Sequence, residues 1–319
     1  METIGNPLLW AGFGGLMVIA LLVDLVLMRH GGPHKVTFRE AMWWSLGWVA
    51  LALLFNGGLW WYLHETAGQA VANRVGLEFL TGYLVEKALA VDNIFVFLMV
   101  MTYFAVPEEQ RQRVLVIGIL GAIVLRSVLI FAGAALLAKF HWLLYAFGAF
   151  LLLTGVKMWF AAGKEPHLER NPVLRWMRNH LKLTDGYRGT ALSVRERGAR
   201  RFTPLFVVLV LIGVTDVIFA VDSIPAIFAI TADPFIVLTS NVFAVLGLRA
   251  MFFLLAGMAD RFHLLPYGLA VVLGFIGAKM LLVDVYKIPV PWALGGVALI
   301  LGTTIALSLA RPARAGTTG

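Results

Sequence analysis

Apolar residues run along this chain in long, nearly unbroken stretches separated by short polar turns. Nine stretches can be marked, at 8–28, 40–62, 78–103, 114–136, 142–161, 204–231, 235–257, 265–285 and 290–310. Each is long enough for a helix to cross a hydrocarbon core of about 30 Å. Transmembrane strands would instead alternate apolar and polar residues over short spans, and that alternation is absent. The pattern predicts an all-α polytopic membrane protein with about nine transmembrane helices forming a single membrane domain. The first stretch reads as a retained helix: it lacks a basic start and a small-residue cleavage site, and it carries Asp24. Trp60, Trp61, Trp142, Trp159 and Trp176 fall mostly at segment ends, as interfacial belts do.

Charge refines this picture. Residues are 60% hydrophobic and 14% charged, and the formal net charge is +8. The positive excess sits in loops, so it signals topology and not nucleic-acid binding. Arg29, Lys35 and Arg39 follow the first segment, Arg261 follows the seventh, and Arg311 and Arg314 close the chain. The 162–203 connector carries ten Lys or Arg against four acids. It reads either as a basic helix on an anionic leaflet or as a plain solvated connector, with no partner assigned. The alternation places the N-terminus outside, and the connector and C-terminus in the cytoplasm, across a bacterial-type inner membrane. Cysteine is absent, which removes disulfides, thiolate metal sites and CxxC redox chemistry.

The chain also repeats itself. Glu86 and Asp92 in "VEKALAVDNIFVF" match Asp216 and Asp222 in "TDVIFAVDSIPAIF" at an offset of 130. Further on the offset falls to 122–123: Arg126 matches Arg249, and His141, Tyr145, Gly155, Lys157 and Met158 match His263, Tyr267, Gly277, Lys279 and Met280. Residues 78–161 and 204–285 are therefore one three-crossing unit used twice. An odd number of crossings inverts the second copy, as in many secondary transporters that hold substrate near the midplane.

Carboxylates inside such segments are costly, at about 2.5–3.5 kcal/mol each on insertion scales. In an unbroken helix a spacing of six residues would point the two acids of each pair to different sides. A helix break would remove that difficulty. Pro225 suits the first turn of a new half-helix, with Ser223 as its cap and Asn93 as the counterpart in the first copy. The expectation is two broken helices opening near 90–93 and 220–224. Carbonyls such as that of Ala220 would then join Glu86, Asp92, Asp216 and Asp222 around a cation. Asn93, Ser223, Asn241 and Asp24 are further candidates for ligation or gating. Lys87, Arg126 and Arg249 read as structural charge partners, with ion pairing alone the competing account of the acids. Lys157 and Lys279 snorkel, and His141 and His263 anchor at interfaces. Oxygen donors without mid-membrane His or Cys suit hard divalent ions such as Mg, Ca and Mn.

The stretches "FLTGYLVEKALAVDNIFVFLM", "RVLVIGILGAIVLRSVLIFAGAALL", "HWLLYAFGAFLLLTGVKM", "DVIFAVDSIPAIFAITADPFIVLTSNVFAVLGLRAMFFLLAG" and "YGLAVVLGFIGAKMLLVD" resemble the TerC family nearly end to end. The resemblance is nearest to its Alx-type members. It implies Mn(II) export from the cytoplasm, and associates the chain with tellurium resistance and alkaline-pH responses. It also places Glu86, Asp92, Asp216 and Asp222 at the family's acidic motif positions. One departure stands out: Gly213 occupies the position, three residues before Asp216, where the family commonly has Glu. The alternative is a membrane metal sensor or scaffold of a stress-resistance complex, which binds without turnover. No HExxH, GxSxG or nucleophile–base constellation supports an enzyme, and no permanently bound cofactor is expected. The expected partners are the lipid bilayer and the transported Mn(II).

Overall fold

All nine apolar stretches form helix in the computed structural model, which describes residues 3–30, 37–162, 168–196, 198–256 and 262–310. Lys35, Arg261, Arg311 and Arg314 lie outside the described residues, as do the side chains of Arg29 and Asp92. Five helices come first: α1 (Pro7–His30), α2 (Phe38–Ala67), α3 (Gln69–Tyr103), α4 (Glu108–Lys139) and α5 (Leu143–Ala161). The connector holds a short helix, α6 (Pro172–His180), and a hairpin of β1 (Ser193–Glu196) and β2 (Ala199–Phe202). The chain continues through α7 (Pro204–Phe228), α8 (Pro234–Leu246), α9 (Leu248–Ala256), α10 (Leu265–Leu281) and α11 (Val290–Ala310). Pro172, Pro204 and Pro234 each open a helix, where the missing N–H costs nothing.

Length and composition qualify six of these helices as membrane spans, or seven if α8 and α9, bent by 40°, count as one. This is fewer than the nine crossings expected. The shortfall has two local causes: α3 carries Glu86, Lys87 and Asp92 within seven residues, and α10 has 17 residues.

Helix α8 is the hub of the bundle. Every side chain from Phe235 to Leu246 is buried, as expected of a helix apolar on all sides. Phe243 packs against Phe13 of α1, Phe55 of α2 and Phe79 of α3, with ring centroids 6.0, 4.8 and 6.0 Å away. The polar run Thr239–Ser240 is satisfied within the helix, since the two hydroxyls donate to Phe235 and Ile236 carbonyls at 2.8 and 2.7 Å.

The expected helix breaks do not occur at 90–93 or 220–224. Both α3 and α7 run unbroken through the acidic motifs, and Pro225 sits inside α7, one turn before its end. In lipid an opened turn would strand backbone N–H and C=O groups at several kcal/mol each, whereas Pro225 forfeits only its own N–H bond. The break falls instead at Gly247, between α8 and α9. There Lys87 Nζ occupies the space a side chain at 247 would need and donates to the Ala244 carbonyl at 3.2 Å.

Helices α5 and α10 pack antiparallel along a seam of small residues. A Cβ on Gly277 would lie 2.8 Å from the Gly148 carbonyl oxygen, and one on Gly155 would lie 2.7 Å from that of Ala270. The offset of 122 carries Gly155 onto Gly277 and Gly148 onto Ala270. The two close approaches are thus one contact made from either side.

The connector is not a free linker. Leu174 and Met177 of α6 are buried in a cluster with Val100, Val106, Val114 and Leu205. Tyr187 donates its hydroxyl to the Phe104 carbonyl and Gln110 donates to that of Gly189, each at 2.8 Å. The connector therefore docks on the α3–α4 turn.

Candidate metal site

Four helices converge on one guanidinium. Arg126 of α4 is 1% exposed. Its Nη1 pairs with Glu86 of α3, and its Nη2 lies 3.4 Å from Oδ1 of Asp216 on α7. Nη1 also donates to Asn241 Oδ1 of α8 at 3.5 Å. Asn93, seven residues beyond Glu86 and therefore on the same side of α3, completes the shell. With its amide oxygen turned inward it accepts from Nη2 at 3.2 Å and donates to the Leu89 carbonyl at 3.1 Å.

Two ionised carboxylates against one guanidinium would leave one negative charge in excess. Oε2 of Glu86, Oδ2 of Asp216 and Nδ2 of Asn241 are buried with no hydrogen-bond partner among the described residues. Orphaned buried carboxylate oxygens are expensive, since they have lost water and gained nothing. They are also the oxygen donors that a hard divalent cation takes. The residues present therefore fit such an ion, although no three His, Asp or Glu side chains among the described residues already converge as a cage.

The other candidates go elsewhere. Asp222, six residues beyond Asp216 on an unbroken helix, faces α5, where Thr154 donates to its Oδ1 at 3.5 Å. Its separation from Asp216 is the one the spacing dictates once the break is absent. The Asp92 side chain lies outside the described residues, so the expected meeting of four acids is seen for Glu86 and Asp216 alone. Ala220 sits within the regular helix and Ser223 is not a cap; its hydroxyl is buried without a partner among the described residues. Asp24 of α1 pairs with Arg249 of α9, which makes it a partner for a part-buried cation. Among the described residues Lys87 pairs with no acid, and it serves the α8 end instead. Lys279 donates to the Ala229 carbonyl at 3.2 Å.

Sequence reasoning missed three of these roles. Thr154 carries no signal in the chain. The Asp24–Arg249 pair was findable only by noting that each is a charge in an apolar run. The Gly247 break did leave a trace: Asp92 to Arg126 spans 34 residues and Asp222 to Arg249 spans 27, so the second copy is seven shorter where α8 and α9 form. Gly213, one turn before Asp216, has nothing within 4 Å of where its Cβ would stand. A larger side chain has room there.

Comparison with known proteins bears on this geometry. The family model described as "Integral membrane protein TerC family" matches residues 71–315. Proteins of Salmonella typhi and of Escherichia coli (strain K12), both named "Putative membrane-bound redox modulator Alx", are 56% identical over 308 residues, covering 97% of this chain and 96% of theirs. A Myxococcus xanthus protein named "Uncharacterized membrane protein STKORF319" is 45% identical over 320 residues, covering 99% of this chain and 98% of its own. No solved structure matches the chain.

Proposed function

Since this chain belongs to the TerC family of integral membrane proteins, we propose that it is a transporter that exports Mn(II) from the cytoplasm. The observation that carries the reading is the buried excess of carboxylate around Arg126, with two acid oxygens left without partners. A divalent cation balances that charge, and a proton can balance it once the metal has left. Export coupled to proton entry follows from this exchange. Inverted repeats, with the N-terminus outside and the C-terminus inside, give the site its two-sided access; the paired Gly148–Gly277 and Gly155–Ala270 contacts support that symmetry. The relatives' redox name finds no thiol here, because the chain has no cysteine.

The test is Mn(II) flux by the full chain in proteoliposomes. Glu86→Gln and Asp216→Asn should each abolish flux while membrane insertion persists, since each removes a charge and keeps volume. Asp92→Asn and Asp222→Asn should do the same if all four acids serve one path. A sensor or scaffold would bind Mn(II) and move none. Undiminished flux in both Glu86→Gln and Asp216→Asn would end the proposal.

A further inference from the structure

We infer that Arg126 is a tethered competitor of the transported cation: its guanidinium occupies the carboxylate site in the metal-free state and must withdraw before the metal is held by both acids. This rests on the reading of Glu86 and Asp216 as ligands. Three observations carry it. First, Arg126 takes one oxygen from each acid and leaves the other oxygen of each orphaned, so the site is half used. Second, the guanidinium stands between acids on two different helices, α3 and α7, where an ion bridging them would have to sit. Two cationic centres within a few ångströms in a water-poor interior repel strongly, so guanidinium and metal exclude one another. Third, the repeat-related arginine is not confined to this pattern: Arg249 turns to Asp24 on the peripheral helix α1.

Mutual exclusion gives the cycle its two states. With Arg126 in place the buried acids are partly neutralised and the empty carrier is stable. With the metal in place the guanidinium is displaced and the contacts it ties together among α3, α4, α7 and α8 are released. A ligand can shift such an equilibrium only by its differential affinity for the two states, and here that difference is built into one side chain.

The experiment measures Mn(II) binding to the purified full-length protein by titration calorimetry, with thermal stability recorded in parallel. Arg126→Ala should bind Mn(II) about tenfold more tightly than the wild type, or better, and gain more stability from Mn(II). Millimolar guanidinium should weaken Mn(II) binding to Arg126→Ala back toward the wild-type value and leave the wild type unaffected. If Arg126→Ala does not fold, Arg126→Gln keeps more of the volume and is read by the same affinity comparison. Wild-type-like or weaker Mn(II) binding in the variant, with the wild type still binding, overturns the competitor role and leaves the carboxylate site standing. Absence of Mn(II) binding in wild type and variant alike overturns the site reading and this inference with it.

Discussion

Replacing Gly277 with alanine tests how tightly the α5–α10 seam is closed. The new Cβ would lie 2.8 Å from the Gly148 carbonyl oxygen and 2.8 Å from the Leu152 backbone nitrogen. Ordinary contact begins near 3.4 Å, so the helices must part by about 0.6 Å. Neither obstructing atom can swing aside, because both are backbone. Overpacking of this kind costs about 1–3 kcal/mol. Alanine also favours the helix by about 1 kcal/mol over glycine, which would mask part of the loss. Gly274→Ala removes the ambiguity, because it lies on the same helix with nothing within 4 Å. The propensity gain cancels between the two variants, and Gly277→Ala should be less stable than Gly274→Ala by about 1–3 kcal/mol. Equilibrium unfolding in mixed micelles, followed by circular dichroism, measures the difference. Equal stability of the two variants would refute the close approach, and with it the mirrored contact that supports the inverted repeat.

Arg249→Gln and Asp24→Asn should each destabilise the fold by about 1–3 kcal/mol, with the double variant losing less than the sum, because each single change strands a largely buried charge. Flux per folded molecule should persist in Arg249→Gln; lost flux at unchanged stability would give Arg249 a transport role instead. Tyr187, whose phenol burial pushes up to about 12, should remain neutral where exposed tyrosines ionise. A raised value means that its contribution is present below pH about 10 and is lost as pH rises through 12, so connector docking should loosen only in that window. The tyrosinate absorbance difference between wild type and Tyr187→Phe measures this, and a Tyr187 titration near 10 would contradict it. Gly213→Glu has room for its side chain and should strengthen Mn(II) binding by adding an acid one turn from Asp216, at a stability cost of about 2.5–3.5 kcal/mol for a further carboxylate within the span; unchanged Mn(II) affinity would show that position 213 does not reach the site.

Hydrophobic run length made the helices legible, because a segment in lipid must satisfy its backbone within itself. Internal spacing made the repeat legible as a pattern, and charge in an apolar run singled out Glu86, Asp216 and Arg126. What failed was the inference from Pro225 to a break. A proline in the last turn of a helix sacrifices a single N–H bond, and local rules cannot tell that small loss from a functional opening. The true break at Gly247 was hidden because its stabilising partner, Lys87, is 160 residues away in the chain. Which acid meets which base is a tertiary fact: pairing Lys87 with adjacent Glu86 is the natural local guess, and the bundle sends them to different helices.

The two stretches that match in sequence make different contacts. In the first, α4 is one continuous helix and its Arg126 turns inward to both repeat-related acids, Glu86 and Asp216. In the second, the equivalent stretch is split at Gly247, and Arg249 turns outward to Asp24. The split leaves the end of α8 needing a donor, which Lys87 supplies from α3, one residue after Glu86. Adjacent residues of α3 thus hold the carboxylate cluster and the α8–α9 bend. A shift of α3 that moved Glu86 away from Arg126 would also pull Lys87 from the Ala244 carbonyl. Through that adjacency, under the proposed metal binding, exchange of guanidinium for metal at the acids would bear on the α8–α9 bend.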